Sequence, residues 1–194
     1  MNAARAFRLG LIGDDLTGAC DSAAPFLGAG PVAVGLWPEV PPGERSAVST
    51  ETRDADPEEA GPRTAVAARH YTGRLLYRKL DSMLRGNPRA DVAALVELGA
   101  RVVVAPALPQ EGRVTQEGVQ RWRGGEVDLR ALFEPLGEHV TIADASTDAD
   151  LGAVAWEILD SGAVAAGSAG LASALACALG LPPAPRTRAP GCRR

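Results

Sequence analysis

Lysine is almost absent from these 194 residues: arginine fills 19 of the 20 basic positions, and Lys79 fills the other. Asparagine is nearly as rare, at Asn2 and Asn87 alone. With abundant alanine, glycine and proline, the skew reads as a coding bias that removes lysine and asparagine wherever another residue serves. Those that persist are therefore candidates for needed chemistry. Cysteine is scarce as well. Cys20, Cys177 and Cys192 are too few and too scattered for a disulfide framework or a CxxC metal site. His70 and His139 lie far from the polar motifs, and no His, Cys or carboxylate pair has metal-ligand spacing, so no metal site is expected. No G-x-S-x-G elbow occurs, which removes serine hydrolases of that type. Positive charge is not in excess. The formal net charge is −4, whereas a partner with a phosphate backbone calls for a basic surface, so no nucleic-acid partner is expected.

Long apolar runs are missing too. The start, Met1 to Gly13, is stopped by Asp14 and Asp15 and has neither the length nor the cleavage pattern of a signal peptide. The uncharged stretch Gly162 to Leu181 is mostly alanine and glycine, and it reads as a buried strand followed by a buried helix rather than a membrane span. These readings predict a soluble protein of the reducing cytoplasm, with no membrane contact.

What is present is a globular composition, 46% apolar and 23% charged, in a length that suits one domain. Short apolar runs at 8–12, 32–36, 47–50, 75–80, 101–105, 140–143 and 163–166 read as strands. Most are separated by helical periodicity, at 16–27, 57–71, 88–98, 129–136, 150–159 and 171–179. That alternation predicts an α/β fold: an open, mainly parallel sheet with helices on both faces, three-layered and Rossmann-like. Residues 38–45 (PEVPPGER) read as a surface connection, and 181–194 as a Pro/Arg-rich linker or disordered tail after a domain at 1–180.

In such sheets ligands bind beyond the carboxyl ends of the strands. Six polar segments follow strands here: Gly13 to Ala19, Thr50 to Arg53, Lys79 to Asn87, Pro106 to Arg113, Asp144 to Ser146, and Gly167 to Gly170. Their carboxylates, cations and glycines predict one site for a small, polar, anionic ligand. Each segment also has a plainer reading. Asp14 or Asp15 can cap the next helix, or can hydrogen-bond sugar hydroxyls or act as a general base. Thr17 and Gly18 open that helix, where free N–H groups favour an anion. Lys79, Asp81 and Ser82 offer a cation, an anion and a hydroxyl, or a surface ion pair. Arg85, Arg53 and Arg113 can each clamp a carboxylate or stay solvated. Asn87 before Pro88 suits a helix N-cap as well as a ligand contact. Gly112 and Gly118 read as turn glycines.

Ile12-Gly-Asp-Asp-Leu-Thr-Gly-Ala19, Lys79-Leu-Asp-Ser-Met-Leu-Arg-Gly-Asn87, Pro106-Ala-Leu-Pro with Gly112-Arg113, and Gly167-Ser-Ala-Gly-Leu171 occur in that order. Together they resemble the N-terminal domain of the four-carbon acid sugar kinase family, from about Arg8 to about Gly180. Members of that family phosphorylate acids such as threonate, erythronate and 3-oxo-tetronate with ATP. The N-terminal domain holds the sugar acid and a C-terminal domain supplies most of the nucleotide site.

The resemblance implies catalytic roles for Asp15, Lys79 and Asp81, and substrate contacts from Asp14, Thr17, Arg53, Ser82, Arg85, Gly86, Asn87 and Arg113. It places Gly167, Ser168 and Gly170 near the phosphate or the domain junction, and it implies ATP with Mg2+ as cofactor. Ser49, Met83 and a short segment from Gln120 to Leu129 depart from the family pattern. No P-loop is present, so the nucleotide domain is expected to be absent from this chain. The expected partner is a separate nucleotide-binding domain or a second copy of the chain. The leading reading is the substrate-binding half of an ATP-dependent sugar-acid kinase, not active alone. The alternatives are a non-catalytic sugar-acid binding protein, and a different α/β protein whose Gly-Asp-Asp loop cradles phosphate.

Overall fold

The computed structural model describes residues 7–182. The segment 183–194, with the tail expected there and Cys192, lies outside the described residues. Seven parallel strands form the main sheet: β1 (Leu9–Gly13), β2 (Ala33–Leu36), β3 (Arg45–Ser49), β4 (Leu75–Lys79), β5 (Val102–Ala105), β9 (Val140–Ile142) and β10 (Val164–Gly167). They lie in the order β2-β3-β1-β4-β10-β5-β9. Helices α1 (Leu16–Ala23), α5 (Asp148–Ser161) and α6 (Ala169–Ala178) cover one face. Helices α2 (Pro57–His70), α3 (Pro88–Glu97) and α4 (Leu129–Phe133) cover the other. The expected three-layer architecture is what the chain adopts.

Each layer follows from local sequence. The inner strands are buried on both faces, which is why Leu9–Gly13 and Val102–Ala105 read as unbroken apolar runs rather than alternating ones. Helix starts carry side-chain acceptors. Asp15 accepts from the Gly18 N–H, Ser168 from Gly170, and Thr147 with Asp150 forms a reciprocal capping box. Pro25 shortens the first helix relative to the expected 16–27. The chain passes into a 3-10 turn over Ala24–Ala29, because proline brings no N–H to an α-helical ladder. Residues 162–181 form strand β10 and helix α6, as expected, and among the described residues no helix is long and apolar enough to cross a membrane.

One part of the fold departs from the expectation. Residues 113–128, where no strand or helix was expected, fold into a three-stranded antiparallel meander: β6 (Val114–Gln116), β7 (Val119–Trp122) and β8 (Gly125–Asp128). Glu117 and Gly118, both at positive φ (53° and 73°), make its first two-residue turn, the conformation that tight hairpins require.

Register does the rest of the positioning. Gly13 pairs with Ser49, Lys79 with Gly167, and Gly167 with Ala105, so five neighbouring loops leave the sheet at one level. Strand β1 is held near its start by a close approach. A Cβ on Gly10 would lie 2.3 Å from the Tyr71 ring, which α2 buries against the sheet. Gly10→Ala is therefore expected to destabilise the protein by ~1–3 kcal/mol, since the ring has no room to yield. Urea unfolding should show a lower midpoint at unchanged slope, and an unchanged midpoint would contradict the packing account.

Candidate functional site

The loops meet in a recess of about 200 Å³ at the carboxyl edge. Asp15, Thr17, Arg53, Lys79, Asp81, Ser82, Arg85, Arg113 and Ser168 of the expected residues line it, together with Asp21 one turn along α1. Five of the six polar segments converge here. The sixth does not: Asp144 turns to the meander and accepts from the N–H groups of Glu117 (2.7 Å) and Gly118 (2.9 Å), beside a separate polar groove.

Five other expected residues stand behind the recess or beside it. Asp14 is buried beneath Arg53. Gly86, at φ 83°, lets the chain pass Asp14 and Arg53, where a Cβ would lie 3.0 Å from the Asp14 carboxylate. Asn87 does not cap α3. Its Nδ2 donates to the carbonyls of Thr52 (3.0 Å) and Ala55 (2.8 Å), fastening the loop after β3 to the loop after β4. Gly167 and Gly170 have their Cβ positions filled by the carbonyls of Ala105 (2.3 Å) and Ala107 (2.9 Å), so they serve close backbone packing.

Arg53 organises the charges. Its guanidinium binds Asp14 through two nitrogens, reaches Asp15 at 3.1 Å and lies 3.7 Å from Asp81. Arg85 forks onto both oxygens of Asp81, at 3.0 and 2.8 Å. Burial pushes the Asp81 carboxyl up, but the Arg85 guanidinium and the N–H groups of Met83 and Arg85 outweigh it and hold the carboxyl at about 2. Burial likewise pushes Asp14 up. The hydrogen bond from Arg53 and the charges of Arg78, Arg53 and Lys79 bring it below its ordinary value.

Two cations remain uncommitted to acids. Among the described residues, neither Lys79 Nζ nor the Arg113 guanidinium has a carboxylate partner within 4.0 Å. Arg113 Nη1 donates instead to the Ser82 hydroxyl. Burial pulls the Lys79 ammonium below its usual range, while Asp14 and Asp81 act against that pull. The arrangement leaves a buried ammonium and a half-buried guanidinium facing a recess, charges that suit an anion. Asp15 keeps a free oxygen: Oδ1 accepts from Gly18 (2.8 Å) and faces Arg53, and Oδ2 has no partner among the described residues.

Two supporting residues escaped the sequence reading. Arg78, fully buried in β4, donates to the Ile12 carbonyl (2.9 Å) and pairs with Asp91 of α3 (2.5 Å), which also accepts from Thr64 of α2 (2.8 Å). It stands in a strand reading Leu-Leu-Tyr-Arg-Lys, directly after the apolar run and before Lys79, and that intrusion was its only signal. Gln120, fully buried in the meander, left no local signal at all.

A family model described as a sugar-binding N-terminal domain matches residues 9–128. The chain is 32% identical over 220 aligned positions to a D-threonate kinase of Cupriavidus necator, covering 86% of this chain and 53% of that protein. It is 36% identical to a D-threonate kinase of Bordetella bronchiseptica, over 57% of this chain and 31% of that one. A D-erythronate kinase of Heliobacterium modesticaldum matches at 36% over 37% of this chain and 18% of its own length. The chain thus spans about half the length, or less, of the curated relatives it matches. Among solved structures, a domain of unknown function from B. bronchiseptica, a domain-swapped dimer with bound citrate, superposes with a TM-score of 0.75 at 26% identity, covering 89% of this chain and 57% of that one.

The depressed carboxyls make a prediction about acid. A carboxyl held at about 2, against an ordinary 3.8, stabilises the fold fully above the ordinary value and loses that contribution as pH falls towards 2. Asp81→Asn should cost ~1–2 kcal/mol at pH 7, and its stability curve should converge on the wild type between about pH 4 and pH 2. Parallel curves would show that Asp81 is not held by these cations.

Proposed function

The chain belongs to the family of sugar-binding N-terminal domains, and from that premise we propose that it is the sugar-acid-holding half of an ATP-dependent four-carbon acid sugar kinase. The observation that carries the reading is the pair of uncommitted cations, Lys79 and Arg113, facing a recess whose acids are already neutralised by Arg53 and Arg85. Drug-sized ligands occupy pockets of about 300–1,000 Å³. A recess of about 200 Å³ suits a smaller polar molecule, such as a hydroxy acid of four carbons. The named activities of the D-threonate and D-erythronate kinases, and the citrate bound to the Bordetella neighbour, point to the same ligand chemistry.

The roles follow from which groups are free. Arg53 and Arg85 are engaged by carboxylates, so Arg113 with Ser82 takes the substrate carboxylate. Asp81, held at about 2 and fully hydrogen-bonded, accepts no proton at neutral pH. Asp15, with its free oxygen, orients the accepting hydroxyl and takes its proton. Lys79 balances the charge that builds as the hydroxyl attacks. ATP with Mg2+ supplies the phosphoryl group in this reading. Carbonyls fill the Cβ space at Gly167 and Gly170, which keeps the turn before α6 close to the sheet. A nucleotide domain, on a continuing or a separate chain, is the proposed holder of ATP, and the setting is the cytoplasm. The second reading is a sugar-acid binding protein without catalysis, favoured by free cations that need no nucleotide to hold an acid.

Thermal unfolding in D-threonate or D-erythronate, with and without Mg-ATP, tests the proposal. A ligand at about a hundred times its dissociation constant adds ~2.7 kcal/mol, and the shift should be indifferent to ATP. No shift with any four-carbon sugar acid would remove the reading. ADP release on adding a separately expressed nucleotide domain distinguishes the kinase half from the binding protein. Lys79→Met should give the unliganded protein equal or higher stability, because a buried unpaired cation is lost, while abolishing the shift. A variant that keeps the full shift would take Lys79 out of the site.

A further inference from the structure

The meander has no place in the charge network, yet it is fastened to the recess at two points that meet on one residue. Gln120 of β7 is fully buried. Its Nε2 donates to the Ser82 carbonyl at 2.8 Å, and its Oε1 accepts from the Thr115 hydroxyl across the hairpin at 2.5 Å. Arg113, the residue that leads into β6, donates from Nη1 to the Ser82 hydroxyl. Ser82 is therefore gripped at its carbonyl and at its hydroxyl by two residues of one small sheet. The backbone of that sheet is in turn tied to the loop after β9, through Thr115 and Ala145, which exchange both hydrogen bonds at 2.9 and 3.0 Å.

We propose that the meander is an aiming device for the anion end of the recess, with Gln120 as a positioning residue that fixes Ser82 and, through Ser82, the guanidinium of Arg113. A long arginine side chain at a half-exposed loop position has many rotamers, and holding one of them costs conformational entropy. A buried amide with its donor and acceptor both engaged supplies that restraint, because moving it would leave the Ser82 carbonyl and the Thr115 hydroxyl unpaired in the interior. Where Gln120 sits then sets the distance between the two free cations, Arg113 and Lys79, and with it the length of anion the recess accepts. This specificity role rests on the sugar-acid reading above, whereas the aiming of Arg113 does not.

The test uses the whole chain and three variants. Gln120→Met combined with Thr115→Val removes the clamp while leaving no orphan hydroxyl, and Gln120→Glu keeps the volume but turns the donor into an acceptor facing two carbonyls. Trp122→Ala loosens the meander at its other hairpin, between β7 and β8, where the indole packs against Gly125. Unliganded, each is treated with phenylglyoxal, and modification of Arg113 is followed by peptide mass spectrometry, with thermal unfolding and D-threonate calorimetry alongside. Both clamp variants should raise Arg113 modification several-fold and weaken D-threonate binding about tenfold, the loss of one buried hydrogen bond. Trp122→Ala should lower the unfolding temperature without either change. Unaltered Arg113 reactivity in a folded clamp variant would overturn the proposal, as would an equal rise in Trp122→Ala. If the wild type binds no sugar acid, the functional reading fails, and Arg113 reactivity still decides the clamp.

Discussion

One guanidinium holds three loops together. Arg53, from the loop after β3, faces Asp14 and Asp15 from the loop after β1 and Asp81 from the loop after β4. Asp14 and Asp81 are buried, and a buried carboxylate without a partner is costly enough that the fold could not carry it. The dependence runs both ways. The carboxylates fix the arginine, and the arginine makes it possible for acids to line a recess that is otherwise shaped for an anion. Two non-glycine residues at positive φ, Glu51 and Leu84, sit in two of these same loops, at 52° and 57°. Such conformations cost ~1–2 kcal/mol apiece and persist where surroundings over-determine them. The ion cluster and the bonds of Asn87 to Thr52 and Ala55 are surroundings of that kind.

The sequence foretold the main sheet because its information is local. Runs such as Val102–Ala105 can only be strands buried on both faces, and polar segments immediately after them can only lie at the carboxyl edge. What was illegible depends on partners distant in sequence. Arg78 is a core residue because Asp91 and the Ile12 carbonyl meet it there, and Gln120 because Ser82 does. The meander was missed for a related reason. Its strands have three or four residues each, too few for an alternation to stand out, and much of their surface is exposed. Gly167 and Gly170 carry a packing role that sequence does not display. A glycine-rich turn ahead of a helix suits an anion, and the carbonyls at the missing Cβ positions show that close packing also calls for these glycines.

The roles of the cations could not be read from residue type either. Four of them line the recess, and sequence alone treats Arg53, Arg85 and Arg113 as equal candidates to grip a carboxylate. Geometry divides them by what each has already met. Arg53 and Arg85 complete the protein's own acids, and only the arginine anchored to a neutral hydroxyl keeps its charge available. Counting partners, rather than counting charges, separates structural from receptive arginines here.

The same count explains why lysine survives at position 79 in a chain that otherwise writes arginine. An arginine there would bring a planar fork with five donors into a recess holding Asp15 and Asp81, and a fork of that kind closes onto a carboxylate in bidentate fashion. The site would then neutralise itself and keep no charge for a ligand. An ammonium is compact, and as a point charge it can stand among those acids without closing on any of them. Its distance from each leaves it under-compensated, which shows as an ammonium pulled below its usual range by burial. Under-compensation is a cost to the empty protein and an attraction for an anion. In the proposed reading, a residue that the composition avoids elsewhere is kept where incomplete pairing is the useful property.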